Sequence, residues 1–110
     1  MAGEPSYIEL GVPDVAAARK FYRGLLGWKV SGRSGPGSVD TATLGIGLHD
    51  EDDERHFQVF FAVADLDKAR AKITKLGGAT IGEVHDESDF GRWIECMDDQ
   101  NVRFGLREAR

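Results

Sequence analysis

The sequence predicts an α+β fold in which one βαβββ unit is written twice, and three observations predict it. A chain of 110 residues, 41% of them apolar, allows one compact domain and no second large one. The segments from Tyr7 to Asp14 and from Gln58 to Asp65 carry the same pattern 51 residues apart, and each leads into a helical stripe. Three strand-like runs separated by turn residues then follow the second stripe.

In the first segment Ile8, Leu10 and Val12 alternate with Tyr7, Glu9 and Gly11, and in the second Val59, Phe61 and Val63 alternate with Gln58, Phe60 and Ala62. Both therefore read as strands with one aliphatic face. Asp14 precedes the stripe Val15, Ala18, Tyr22 and Leu25, and Asp65 precedes Leu66, Ala69, Ile73 and Leu76. A carboxylate there accepts from the free N–H groups of the first turn, so both read as N-caps worth about 1 kcal/mol each. Gly27 and the pair Gly77-Gly78 stand where the helices should close on a left-handed residue. After the second helix, runs from Thr80 to Val84, Arg92 to Met97 and Val102 to Arg107 read as strands, with a turn at 98–101. The first unit offers Trp28 to Val30 as a strand, a Gly/Ser/Pro loop from Ser31 to Ser38, and one run from Val39 to His49 that must hold two more strands. Asp14 to Leu48 spans 34 residues and Asp65 to Leu106 spans 41, so the first unit is seven residues short and its last turn has no assigned place. The single domain, residues 1–110, thus divides into a first unit at about 6–49, an acidic linker at 50–55 and a second unit at about 56–108.

Charge and composition exclude several function classes. Fourteen basic residues against 19 acidic ones leave a net charge of -5 with no evident basic stripe, which argues against nucleic acid and anionic membrane as partners. No apolar stretch approaches the roughly 20 residues that span a bilayer, and the first five residues lack a charged n-region and an apolar h-region, so a soluble, cytoplasmic protein is expected. Cys96 is the one cysteine, which excludes an intramolecular disulfide or a multi-cysteine zinc site, and its strand parity makes it a small buried hydrophobe. Residues 50–54 are five acids in a row flanked by His49 and His56. Adjacent like charges repel and do not converge on one ion, so the run reads as a solvated linker rather than a metal site. His49, His56 and His85 are all expected to be exposed, His85 within a loop.

The repeated unit with Val-x-Asp before its helices, the cluster Phe21-Tyr22 with Leu26-Gly27-Trp28, and Asp-x-Gln-x-x-x-Phe-Gly-Leu from Asp98 to Leu106 resemble the vicinal oxygen chelate superfamily of glyoxalase I, bleomycin-resistance proteins and extradiol dioxygenases. The resemblance covers Tyr7 to Leu106 and implies an incomplete, curled mixed sheet around a cleft, with the helices outside. In metalloenzymes of that group one ligand, usually His, stands seven residues before the Asp of Val-x-Asp, and a Glu near the end of each unit's last strand is another. Carried over, these positions fall on Tyr7, Gln58, Gly105 and Gly47. Two glycines offer no side chain, and a phenol and an amide are weak donors for a divalent ion, so no metal and no other cofactor are expected.

Strand parity then suggests what replaces the metal. The aliphatic faces, Ile8/Leu10/Val12, Val59/Phe61/Val63, Ile94/Cys96 and Phe104/Leu106, should pack under the helices. The opposite faces place Tyr7, Glu9, His49, Gln58, Phe60, Trp93, Glu95, Arg103 and Arg107 toward the cleft, aromatic walls with a few polar groups. Each has an ordinary alternative: Tyr7 and Trp93 as strand-edge fillers, Glu9 as a solvent-facing acid, Arg103 and Arg107 as surface charges. No catalytic residue is identified. The sequence therefore predicts a metal-free protein that binds a small aromatic or cationic molecule in the manner of bleomycin-resistance proteins, paired as a homodimer as members of that group commonly are. The alternative is a metal-dependent lyase, isomerase or dioxygenase with an atypical site drawn from Glu9, His49, Gln58 and Glu95, which leaves open whether the chain is an enzyme.

Overall fold

A computed structural model describes residues 3–32 and 35–108. Residues 33 and 34 of the loop expected at 31–38, and the first two and last two residues of the chain, lie outside the described residues. The elements run β1 (Pro5–Gly11), α1 (Val15–Leu26), β2 (Gly37–Asp40), β3 (Gly45–His49), β4 (His56–Ala62), α2 (Leu66–Lys75), β5 (Ala79–Glu87), β6 (Gly91–Met97) and β7 (Arg103–Glu108). The class is α+β with strands of mixed direction.

The chain forms two compact units, residues 7–58 and residues 59–108 with residues 3–6. In the first, β1 and β3 are parallel and β2 is antiparallel to β3. Here the structure departs from the sequence reading. The run from Val39 to His49 does hold two strands, but Trp28 to Val30 is not one, so this unit has three strands where four were expected. Tyr22 and Trp28 stack at 4.9 Å and both pack against the core, which uses this segment as a cover for the helix rather than as a strand in the ladder. The unassigned turn lies at 41–44, where Thr41 Oγ1 accepts from the N–H groups of Thr43 and Leu44. In the second unit the order is β4-β7-β6-β5, with β4 and β7 parallel and the rest antiparallel. The chain before β1 joins this unit, since Gly3 N–H donates to the Ala62 carbonyl and Ala62 N–H to that of Glu4. Among the described residues no helix is long and apolar enough to cross a membrane.

Each helix covers the aliphatic face of its own unit. Leu10, Val15, Ala18, Val39, Ile46 and Leu48 form the first core, and Leu66, Ile94, Cys96 and Leu106 the second. Fully burying an aliphatic side chain such as Leu48 or Ile94 stabilises by about 1.5–3 kcal/mol. The Cys96 thiol, packed among these, is pushed up to about 11 by burial and by the Glu95 charge beside it, so it has little thiolate at neutral pH. Asp14 caps α1 by accepting from Ala17 N–H at 3.2 Å, Asp65 caps α2 by accepting from Lys68 N–H at 3.1 Å, and Gly27 closes α1 at φ 75°.

A second carboxylate meets each helix from a distance. Val15 N–H donates to Asp50 at 2.9 Å, and Leu66 N–H donates to Glu108 at 2.6 Å. Asp50 and Glu108 stand at equivalent places, each just past the aliphatic end of its unit's last strand. The acidic run is thus not a free linker. Asp50 holds the first turn of α1, Glu51 and Asp52 donate their N–H groups to the Pro13 and Val12 carbonyls, and the segment is tied to the first unit. The positive end of a helix draws carboxylates that would otherwise repel one another.

Two glycine substitutions test the packing. A Cβ at Gly105 would fall inside the Phe60 ring, whereas one at Gly24 in α1 meets nothing within 4 Å. Gly105→Ala should cost about 1–3 kcal/mol in urea unfolding, and Gly24→Ala should raise stability by about 0.5–1 kcal/mol. Equal effects of the two would contradict this packing.

Candidate functional site

The parallel register of β1 and β3 sets Tyr7 opposite Gly45, Glu9 opposite Gly47 and Gly11 opposite His49, all on the face away from the core. Three glycines on this face leave its floor bare. The Tyr7 hydroxyl and the Glu9 carboxylate lie over Gly47, where a Cβ would collide with both, and the Asp52 carboxylate lies over Gly11. His49 is held between two acids: Glu9 Oε1 lies 2.8 Å from Nδ1, and Asp52 Oδ2 lies 2.5 Å from Nε2. Burial, the largest single influence on His49, would lower its pKa, but the hydrogen bonds to Glu9 and Asp52 and their charges outweigh it, and the net direction is upward from 6.5. Asp52 is held below its ordinary 3.8, first by His49 and then by the Glu54 N–H. His49 is partly buried rather than exposed, and each of its ring nitrogens faces a carboxylate, a setting that favours the protonated form. Sequence reasoning missed Asp52, whose place at i+3 from His49 was the available signal.

Gln58 is buried, with 4% exposure, and its Oε1 lies 3.3 Å from His56 Nε2. His56 is likewise half-buried rather than exposed, and its Nδ1 is buried without a hydrogen bond.

In the second unit Phe60 stands opposite Gly105, Trp93 opposite Arg107, and Glu95 opposite Gly105. With no side chain at Gly105, the Phe60 ring drops onto the sheet and is only 4% exposed. Its edge meets Phe90 at 6.4 Å and Trp93 at 5.6 Å, both near-perpendicular. The Arg107 guanidinium lies 4.0 Å above the Phe90 ring and donates from Nε to the Phe90 carbonyl at 2.9 Å. Arg103 pairs with Glu95 at 3.7 Å. His85, expected in a loop, instead lies in β5 opposite Trp93 and stacks on its indole at 4.1 Å. An irregularity between Ile81 and His85 takes four steps on β5 against two on β6, which extends the pairing to Glu87. Phe90 and His85 are the residues sequence reasoning left out, since neither shows its partner without the register. Trp93 Nε1 is buried and has no hydrogen-bond partner.

The family model described as Glyoxalase/Bleomycin resistance protein/Dioxygenase superfamily matches residues 5–106. The chain belongs to this superfamily. It is 28% identical over 127 aligned positions to the anthracycline biosynthesis protein DauV of Streptomyces sp. strain C5, covering 94% of this chain and 46% of that protein. The chain therefore spans about half the length of this curated relative. A hypothetical protein of Bacillus halodurans, BH1468, superposes with a TM-score of 0.78 at 13% identity, over 100% of this chain and 96% of that one. Homoprotocatechuate 2,3-dioxygenase from Brevibacterium fuscum does so with 0.75 at 21% identity, over 98% of this chain and 38% of that one. At these identities both structures show the shared glyoxalase fold.

Several glyoxalase-superfamily proteins hold a divalent metal, and the residues here do not fit one. At the positions that resemblance assigns to carboxylate ligands stand Gly47 and Gly105, and their side-chain space is filled by the Tyr7 phenol and the Phe60 ring. Glu9 and Asp52 sit on opposite edges of the His49 imidazole, which separates them and occupies both ring nitrogens. Among the described residues no group of three His, Cys, Asp or Glu is placed to hold an ion.

The His49 clamp has a definite pH window. A raised histidine pKa contributes stability fully below 6.5 that is lost as pH rises through the folded value; the lowered Asp52 contributes above 3.8 and loses it as pH falls through its folded value. Proton NMR titration should give His49 a midpoint above 6.5, moved downward by Glu9→Gln. A midpoint at or below 6.5 in the unaltered protein would contradict the clamp.

Proposed function

We propose that this glyoxalase-superfamily chain binds a small planar aromatic molecule without a metal, through the aromatic face of β4, β6 and β7. The observation that carries this reading is Trp93. Its ring is fixed between the Phe60 edge and the His85 face, while its indole N–H is buried with no partner. An unmade hydrogen bond at a buried donor costs about 1–3 kcal/mol, which an acceptor on a ligand would recover. The nearby polar groups, Arg107 over Phe90 and the Arg103–Glu95 pair, give the aromatic wall the few oriented charges that small-molecule sites use. Glu95 is the carboxylate of this unit that a cationic ligand group would meet. One relative is named for anthracycline biosynthesis, and anthracyclines are planar polycyclic aromatics. A protein working in the cytoplasm on such a compound would hold or shelter it.

The test is a thermal shift with an anthracycline as probe. At a hundredfold excess over its dissociation constant a ligand adds about 2.7 kcal/mol, which moves the melt of a domain this size by roughly 10 °C or more. Trp93→Ala, and Trp93→Phe, which keeps an aromatic ring but loses the indole N–H and part of the ring area, should each weaken binding by about 1 kcal/mol, and a chelator should change nothing. Hits across a broad aromatic library that ignore both substitutions would overturn the reading.

One observation favours an enzymatic reading instead. His49, held between Glu9 and Asp52 with its pKa raised, is placed as an acid–base group of the kind an isomerase or lyase requires. Turnover abolished by His49→Gln would establish it, whereas the binding reading expects His49→Gln to leave ligand affinity within a factor of two.

We further propose that the chain pairs as a homodimer. Phe21 and Leu25, one turn apart on α1, are 59% and 66% exposed, an apolar strip that a second copy could cover. Light scattering at tens of micromolar should give twice the chain mass of 12.1 kDa, and a monomer mass would refute the pairing.

A further inference from the structure

The first unit holds a groove that none of the readings above uses. It lies between α1 and the segment after Gly27, has a volume of about 450 Å³, and is walled by Arg19, Lys20, Arg23, Trp28 and Lys29. The sequence reading expected no concentration of basic charge, yet four of the chain's 14 Lys and Arg residues line this one groove, and among the described residues no carboxylate lines it. Positions 19, 20 and 23 share one side of α1, and Lys29 returns to that side after Gly27 turns the chain. None of the four is ion-paired with a described carboxylate, although the protein carries a net charge of -5.

Two further observations point to a ligand. Arg19 gives one nitrogen to the Ser31 carbonyl at 2.7 Å, while its Nε and Nη1 are buried with no hydrogen-bond partner. A guanidinium so placed lacks acceptors, which a tetrahedral oxyanion supplies through paired N–H···O bonds. Beside it Trp28 stacks on Tyr22 at 4.9 Å and 21°, so the indole on the groove wall is held in place before anything binds.

We propose that this groove binds a phosphorylated aromatic small molecule of nucleotide size, with its phosphates among Arg19, Lys20, Arg23 and Lys29 and its ring against Trp28. The volume falls within the roughly 300–1,000 Å³ of small-molecule sites. An inorganic anion alone would use the cations and leave the indole wall without a partner. A neutral aromatic would do the reverse. The groove shares no residue with the Trp93 face, so the two readings fail independently.

Isothermal titration at low salt decides it, with ADP, inorganic phosphate and adenosine as probes. ADP should bind at least tenfold more tightly than either of the other two, and more weakly as salt is added. The double substitution Lys20→Glu/Arg23→Glu should weaken ADP at least tenfold with the fold kept and the melt only slightly lowered, because both side chains are exposed and unpaired while Arg23 lies in the last turn of α1. Lys29→Glu alone should weaken it severalfold and serves if the double variant is less stable. Trp93→Ala should leave ADP binding intact. The proposal is overturned if ADP binds no better than phosphate, if the charge reversals change nothing, or if Trp93→Ala abolishes binding.

Discussion

A glycine in the last strand of each unit, Gly47 in β3 and Gly105 in β7, leaves open the space directly above the sheet, and the parallel strand beside it fills that space with its own side chains. Packing at protein density admits no void the size of a ring or a carboxyl group, so what fills it decides the character of the whole face. In the first unit Tyr7 and Glu9 lie over Gly47, and Glu9 is thereby aimed at His49. In the second unit Phe60, 51 residues beyond Glu9 in the repeat, lies over Gly105 and carries Phe90 and Trp93 with it. One backbone arrangement thus supports a charged cluster in one unit and an aromatic cluster in the other.

The same repeat explains the acidic run. Asp50 and Glu108 each accept from the first N–H of their unit's helix, so the end of the last strand and the start of the helix are fastened together twice over. Glu108 is also paired with Arg92 at 3.7 Å, and Arg92 with Asp67 at 3.1 Å. Among the described residues no arginine pairs with Asp50, and its neighbour Asp52 is met by His49 instead. Charge at these strand ends helps hold the fold together, and the raised pKa of His49 and the lowered pKa of Asp52 express one such interaction.

Glyoxalase-superfamily membership constrains what the chain can be without choosing its chemistry, since one fold carries many sites. The residues that differ from the metal-binding pattern are therefore the informative ones. At the positions the resemblance assigns to metal ligands stand Tyr7, Gly47, Gln58 and Gly105, which offer a phenol, an amide and no other side-chain donor. The helical side of the first unit adds a region of opposite charge, so a protein acidic in sum presents cations at one place and carboxylates at another.

The sequence by itself determined what short-range chemistry determines: the two N-caps at Asp14 and Asp65, the left-handed close at Gly27, the alternation that separates Leu10 from Glu9 and Ile94 from Trp93, and the repeat that marks the superfamily. These depend on residues a few positions apart, where steric and hydrogen-bonding preferences are strong. Tertiary structure alone decided the rest. Asp50 meets Val15 across 35 residues, Glu9 meets His49 across 40, and His85 reaches Trp93 only because β5 shifts its register. Trp28 read as a strand residue from its neighbours, yet it stacks on Tyr22 and packs against the core outside any strand. Contacts of this kind are fixed by which strands lie side by side and in what register, and neither quantity is carried by any single stretch of the chain.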